Sequence, residues 1–287
     1  MRDVLLAICG GGVGLIVGLT GMGGGAVMTP LLVLGFGVDP LSAVSSDLVV
    51  SLVMKPLGGR IHMRHGTVRR DLVAWLCAGS VPAAFSGVLL LRALGDGRDI
   101  EDLVQTLLGV ALCVAVVGML VRPVIGARRT GSGPVQVHPL RTIAIGVLGG
   151  LVVGMTSVGS GSLMIVLLMA LYPQLAMREL VGTDLVQAVP LVASAALAHA
   201  IFGDVHLATT VALVVGAIPG VWVGAHLSAR ASDRMLRPVL VGILAASAAK
   251  LLDASTVVTV VAVLVALVPA WWVFVRMPAA NRALVST

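Results

Sequence analysis

The sequence predicts an all-α, polytopic membrane protein, and its composition and hydropathy pattern support this class. Hydrophobic residues make up 58% of the 287-residue chain and charged residues only 11%, and long apolar runs recur along it. These runs have the length that crosses a bilayer as a helix, and they are continuous rather than alternating. The formal net charge of +6 comes from arginines that lie between the runs, and aromatic residues make up only 3%. We therefore expect basic cytoplasmic loops and no nucleic-acid partner.

An internal repeat organises the chain into two halves. Displaced by 136 positions, the segment "GLTGMGGGAVM" from Gly18 aligns with "GMTSVGSGSLM" from Gly154. After one inserted residue the match resumes, and "SSDLV" from Ser45 aligns with "GTDLV" from Gly182. Self-similarity of this kind indicates that both halves share one structural plan.

Loop charge predicts the orientation of each half in turn. In the first half, the arginine-rich loop at 60–70 precedes a span at about 72–92, the acidic loop "GDGRDIED" follows it, and arginines return at 122–141. By the positive-inside rule these loops lie inside, outside and inside. In the second half, the loop around Gly203 lacks Lys and Arg, the next contains Arg230, Arg234 and Arg237, and the last is short and contains Asp253. These loops lie outside, inside and outside, so equivalent loops face opposite sides of the membrane.

This pattern predicts two inverted-topology repeats, each with a Gly-broken helix pair followed by three spans. One extra span is expected at about 255–275, and Arg276 and Arg282 place the C-terminus in the cytoplasm. The predicted divisions are a first transmembrane repeat at 1–125, a cytoplasmic linker at 126–140, a second transmembrane repeat at 141–253, and the extra span with its tail at 254–287.

Glycine-rich breaks interrupt the first membrane region of each half, at about 4–34 and 142–171. Irregular backbone at membrane depth is tolerated only where it is buried in protein or lines a cavity. Half-helices whose N-terminal amides converge near the midplane would bind an anion. The alternative is that the small residues only allow close helix packing, which we expect for the ladders that begin at Gly10 and Gly146. Whether the broken segments are re-entrant or fully span stays open. The predicted substrate-binding residues are Thr20, Gly21, Gly23, Gly24 and Gly25 at the first break, Thr156, Ser157, Gly159, Ser160, Gly161 and Ser162 at the second break, and Gln187.

Three ionisable residues within apolar runs are candidates for coupling transport to an ion. Asp47 and Asp184 occupy equivalent positions of the repeat, and helix capping is the alternative role for both. His199 lies between two alanines, and histidine is a residue type that suits a proton-coupled carrier. A proton and a sodium ion are both open as the coupling ion. Lys55 precedes Pro56 near the predicted inner end of its span, so we expect its ammonium to reach the headgroups.

The sequence does not predict an enzyme. Its serines and cysteines stand outside any recognisable nucleophile motif, and no Walker-type phosphate-binding motif is present. The histidines are scattered, with His62 and His65 the one close pair, in a basic loop that would repel a cation. No cofactor and no metal site are expected, so transport would depend on a gradient or on a separate partner.

The repeat motifs resemble those of the sulfite exporter TauE/SafE family, also called the toluene sulfonate uptake permease family. "GLTGMGGGAVMTPLLV" is similar to its first-repeat motif, and "GMTSVGSGSLM" and "LVGTDLVQA" are similar to its second. The resemblance implies a bacterial inner-membrane transporter for sulfite, organosulfonates or other small sulfur-containing or carboxylate anions. The two repeats differ at two positions of these motifs. Val166 in the second repeat aligns with Pro30 in the first, and Ser160 aligns with Gly24. We therefore expect the second break to have a different shape.

Together these features predict a permease or exporter of small anions that works by alternating access in the lipid bilayer, through rocking of the two halves around the breaks. An anion channel and a non-transporting membrane scaffold for a partner enzyme are the alternatives. A monomer and a homo-oligomer are both compatible with the sequence.

Overall fold

The computed structural model describes residues 2–20, 24–95, 97–127, 136–202, 205–227 and 233–272. Helices dominate these ranges, and seven of the described helices are long and apolar enough to cross a membrane. The predicted class, an all-α polytopic membrane protein, is confirmed. Most of the predicted linker at 126–140, Gly203, Arg230 and the C-terminal tail with Arg276 and Arg282 lie outside the described residues.

The order of the helices in the first half recurs in the second. The first half contains α1 (Arg2–Thr20), α2 (Gly25–Pro30) with a π-helical turn at Leu31–Gly35, α3 (Pro40–Arg64), α4 (Arg70–Ala93) and α5 (Arg98–Ala127). The second half contains α6 (Pro139–Thr156), α7 (Leu163–Leu171), α8 (Met177–Phe202), α9 (Leu207–Leu227) and α10 (Asp233–Leu251), and α11 (Thr256–Trp271) follows. Each half thus has a long helix, a break, a short helix and three further helices.

The two limbs of each broken region differ in length. At about 1.5 Å per residue, α1 and α6 approach the thickness of the hydrocarbon core, whereas α2 and α7 reach only part of it. In the second half, the Met164 methyl group packs against Gly149, so α7 turns back along α6. The second broken region is therefore one long helix followed by a short returning helix.

The glycine ladders on α1 and α6 are packing surfaces, as predicted. A Cβ atom at Gly10 would lie 2.5 Å from the Leu213 carbonyl oxygen, and one at Gly14 would lie 2.5 Å from that of Ala217. This places α1 parallel to α9 with the two backbones in contact. On α6, the equivalent Gly146, Gly150 and Gly154 meet the backbone of Leu76, Ser80 and Ala84 on α4 in the same way.

Helices α3 and α8, which the internal repeat makes equivalent, run antiparallel against each other. Ser45 near the start of α3 contacts His199 near the end of α8, and His62 near the end of α3 lies against Gly182 near the start of α8. The repeat aligns Ser45 with Gly182 and His62 with His199, so a two-fold axis between the helices converts one of these contacts into the other. Opposite directions of equivalent helices are the relation that an inverted repeat requires.

A second pair of equivalent helices, α5 and α10, also packs antiparallel. The Gln105 amide donates to the Leu251 carbonyl at 3.2 Å, and Gly109 lies against Ala248 further along α5. Helix α11 packs on α10, and its outer residues Val257 and Val265 are 73% and 66% exposed. Such an apolar outer surface suits contact with lipid.

The packing interlaces the two sequence halves. Helices α1, α2 and α3 assemble with α9 from the second half, whereas α6, α7 and α8 assemble with α4 from the first half. We call these groups the α9 unit and the α4 unit. Helices α3 and α8 form the seam between them, and this seam contains most of the buried polar side chains described below.

Candidate functional site

The two helix breaks touch each other at the seam. A Cβ atom at Gly25, the first residue of α2, would overlap the carbonyl oxygen of Ser157 at the second break. The second break has left-handed backbone at Ser157 (φ 59°) and positive φ at Gly159 (132°) and Gly161 (88°). Glycine adopts such angles without steric cost, which explains its recurrence in the loop between α6 and α7.

Asp47 connects both breaks through one carboxylate oxygen. Its Oδ2 accepts a hydrogen bond from the Thr29 hydroxyl of α2 at 3.0 Å and another from the Ser157 hydroxyl at 2.6 Å. The side chain is fully buried, and its Oδ1 has no hydrogen-bond partner among the described residues. Asp47 lies in the second turn of α3, so the alternative role of helix capping is wrong for it.

Lys55 lies at the second break, two turns after Asp47 on the same helix. Its ammonium donates to the Ser160 hydroxyl at 2.5 Å and interacts electrostatically with Asp47 and Asp184. The side chain is only 5% exposed, so the predicted position at the headgroups is wrong. The reason is that α3 continues for nine residues beyond Lys55 to Arg64, and two buried carboxylates compensate the charge.

The contact between Lys55 and Ser160 joins two positions at which the halves differ. Val192 is the repeat equivalent of Lys55, and Gly24 is the repeat equivalent of Ser160. The exact two-fold relation between the units is therefore lost at the point where the buried cation lies. The change at Ser160 was predicted from the sequence, but the role of Lys55 was not. Its replacement by Val192 in the second repeat is the signal that would have indicated it.

Asp184 belongs to a hydrogen-bond chain between α8 and α4. Its Oδ1 accepts from the Gln187 side-chain Nε2 at 3.1 Å, and the Gln187 side-chain Oε1 accepts from the Ser80 hydroxyl at 3.1 Å. All three side chains are buried. Asp184 lies in the second turn of α8 and does not cap it. Among the described residues, Gln187 belongs to this hydrogen-bond chain and does not contact either break.

His199 connects the seam to the last turn of α6. Its Nδ1 lies 2.8 Å from the Ser45 hydroxyl, and its Nε2 lies 3.1 Å from the carbonyl oxygen of Gly154. A carbonyl oxygen only accepts, so Nε2 carries a proton and donates to it. The side chain is fully buried. His199 therefore stabilises the end of the helix that leads into the second break.

The remaining predicted residues divide between the breaks and their supports. The Thr156 hydroxyl donates to the Val152 carbonyl at 2.6 Å, so it supports the end of α6. Gly24 packs against the methyl group of Met54, and Ser162 precedes α7. Gly21, Gly23 and the side chain of Thr20 lie outside the described residues.

A polar pocket of about 430 Å³ opens at the end of the seam that carries His62. It is lined by His62, His65, Gly66, Thr67, Arg178 and Glu179. The His62 Nδ1 lies 2.9 Å from the Thr67 hydroxyl. This pocket joins the loop after α3 to the start of α8, and none of these residues belongs to the breaks.

Comparisons with known proteins give one family and two curated relatives. A family model described as "Sulfite exporter TauE/SafE" matches residues 6–251. The probable membrane transporter protein YjnA of Bacillus subtilis (strain 168) is 36% identical over 256 residues, which cover 87% of this chain and all of that protein. The probable membrane transporter protein YdhB of the same strain is 23% identical over 216 residues, 75% of this chain and 86% of that protein. No solved structure matches the chain.

Proposed function

This chain belongs to the sulfite exporter TauE/SafE family, and from this premise we propose that it carries small anions through a site between its two helix breaks. The family resemblance seen in the repeat motifs is confirmed, and the chain is a multi-pass membrane transporter rather than an enzyme. The proposed substrates are sulfite, organosulfonates and related small sulfur-containing or carboxylate anions. The proposed location is a bacterial inner membrane, with the C-terminus and the linker at 126–140 in the cytoplasm.

The observation that carries this proposal is the buried ammonium of Lys55 at the second break. Lys55 is the one buried Lys or Arg side chain among the described residues. It binds Ser160, which belongs to the loop that precedes the N-terminus of α7. A hydroxyl, an ammonium and nearby helix amides are the donors that a sulfite, sulfonate or carboxylate oxygen accepts from.

The interlaced units supply the moving parts of the proposed transport cycle. The contacts of Asp47 with Ser157 and of Lys55 with Ser160 both cross the seam between the α9 unit and the α4 unit. Separation of the units at one end of the seam would open these contacts to one side of the membrane, and separation at the other end would open them to the opposite side. In this scheme the bodies that rock are the interlaced units rather than the two sequence halves.

Counterflow in proteoliposomes tests the proposal with four anions: sulfite, thiosulfate, methanesulfonate and acetate. We expect saturable, protein-dependent exchange of at least one of them. The Lys55→Met variant should lower that exchange at least about tenfold, because it removes a charge-assisted donor. Lys250→Met is the matched control, since Lys250 is exposed at the end of α10 and lies away from the breaks.

Three outcomes would contradict the proposal. Exchange that is unchanged in Lys55→Met would remove Lys55 from the site. Flux that never saturates and shows no counterflow would indicate a channel. Absence of flux for all four anions, in vesicles that contain correctly inserted protein, would favour a scaffold without transport activity.

A further inference from the structure

The charges around Lys55 are unbalanced for a site that receives an anion. Asp47, Asp184 and Lys55 are all buried, and the ammonium interacts with both carboxylates. If both carboxylates are ionised, the group has a net charge of −1 before any substrate binds. An incoming anion would add a second negative charge in a medium of low dielectric constant, which is costly unless a cation binds with it.

One oxygen of the group is available for such a cation. The Oδ2 of Asp47 accepts two hydroxyl donors, whereas Oδ1 is buried and without a partner among the described residues. Ser51 lies one turn further along the same face of α3, and its buried hydroxyl oxygen also lacks a partner among the described residues. An acidic O–H group at Oδ1 would need an acceptor, and the Ser51 hydroxyl one helical turn away can supply it.

The other buried titratable groups of the seam are already engaged. Lys55 on α3 donates to Ser160, Asp184 on α8 accepts from Gln187, and His199 on α8 contacts Ser45 and the Gly154 carbonyl. From α2 and from the second break, the side chains that contact the Asp47 carboxylate are the hydroxyls of Thr29 and Ser157. Asp47 can therefore gain a proton at Oδ1 without the loss of a hydrogen bond.

We propose, on the basis of the function proposed above, that a proton binds Asp47 at Oδ1 when the anion binds Lys55, and that the two cross the membrane together. The O–H bond forms with a proton from the solution on the side of uptake and breaks by release to the other side. The neutral carboxyl group no longer attracts the ammonium, which becomes available to the anion. The net charge of the site stays at −1 in the empty and in the loaded state.

A pH gradient across proteoliposomes tests this coupling. For one proton and one monovalent anion such as methanesulfonate, the wild-type protein should accumulate the anion about tenfold for each unit of pH difference, independently of membrane potential. In Asp47→Asn the side chain imitates the neutral acid, so its exchange should lose pH dependence and a pH gradient should no longer drive accumulation. Asp253→Asn is the matched control, because Asp253 is exposed and its φ of 53° suits asparagine.

Proton uptake during binding tests the same inference without a variant. When unbuffered wild-type protein in detergent binds the anion with the highest flux, about one proton per anion should leave the solution, beyond any that the anion itself exchanges. If Asp47→Asn fails to fold, this measurement still shows whether a proton binds together with the anion.

The outcomes separate this inference from the proposed function. The proposed proton coupling is wrong, and the transport function stands, in either of two cases. The first is that the wild-type protein exchanges anions but takes up no proton. The second is that a pH gradient still drives anion accumulation by Asp47→Asn. If Asp184→Asn removes the coupling and Asp47→Asn retains it, the proton is assigned to the wrong carboxylate. If the wild-type protein exchanges none of the four anions, both proposals fail.

Discussion

Lys55 is a charged side chain that the fold keeps away from water, and this is costly unless opposite charges compensate it. Asp47 and Asp184 supply that compensation, and Ser160 accepts a hydrogen bond from the ammonium. Loss of Lys55 would leave both carboxylates buried without a counter-charge, whereas loss of one carboxylate would leave the other beside the ammonium. A buried group of this kind within membrane-spanning helices is more typical of a functional site than of a packing device.

The hydrogen bonds of His199 predict a structural contribution that can be measured. His199→Ala leaves the Gly154 carbonyl without its side-chain donor and opens a cavity in the seam. We expect the free energy of unfolding in mixed micelles to fall by roughly 2–4 kcal/mol. His206→Ala, which changes an exposed side chain just before α9, should leave it unchanged. Equal stability of the two variants would contradict the role of His199 at the end of α6.

The sequence indicated much of the site at this scale, and the reasons for what it missed are physical. Asp47, Ser157 and Ser160 were predicted because polar residues in apolar runs are costly and therefore conspicuous. Lys55 was assigned to the headgroups because a long side chain near a basic loop ordinarily reaches water. Its burial depends on where α3 ends and on two carboxylates, one of them on another helix, and neither follows from local sequence.

At the scale of helices, small residues decide which pairs pack closely. The glycines of α1 face α9 and those of α6 face α4, with backbone against backbone. Leu, Val or Ile at these positions would hold the axes apart by the width of a side chain. Since lipid is as apolar as the helix surface, close packing is the main attraction between such helices.

A matched pair of glycine substitutions on α1 tests this packing. A Cβ atom at Gly14 would lie 2.5 Å from the Ala217 carbonyl oxygen, whereas one at Gly12 meets nothing within 4 Å. Gly14→Ala should therefore lower the free energy of unfolding by about 1–3 kcal/mol. Gly12→Ala should be neutral or stabilising by up to about 1 kcal/mol, because alanine favours helix. The measurement is unfolding in mixed micelles, and the opposite order of stability would contradict the observed contact between α1 and α9.

Glycine strings predicted the positions of both breaks, but the helix partners were not predictable. The strings identify where a helix ends, and the ladders identify a face that needs a close neighbour. They contain no information on which helix that neighbour is, because every small-residue face is complementary to many others. The unequal limbs of the broken regions also escaped prediction, since loop charges fix only the sides on which a segment begins and ends.

At the scale of the whole molecule, the antiparallel packing of α3 against α8 supports the predicted inversion of the two halves. Topology can be measured with a membrane-impermeant maleimide on single added cysteines in intact cells. Asp99→Cys and His206→Cys should react from outside, and His65→Cys should react only after permeabilisation. All three positions are exposed in the structure. Labelling of His65→Cys and His206→Cys from the same side would contradict an inverted repeat.

The interlaced packing has a consequence for synthesis of the protein. Helix α1 leaves the ribosome early, but α9 begins roughly 190 residues later in the chain. At ~5–20 residues per second this interval is on the order of 10–40 s. During that time the glycine-lined surface of α1 has no permanent neighbour in the nascent chain, and it must be held by lipid or by the insertion machinery. The final fold is therefore reached late in translation, and truncated chains that end before α9 are expected to be substrates for membrane proteases.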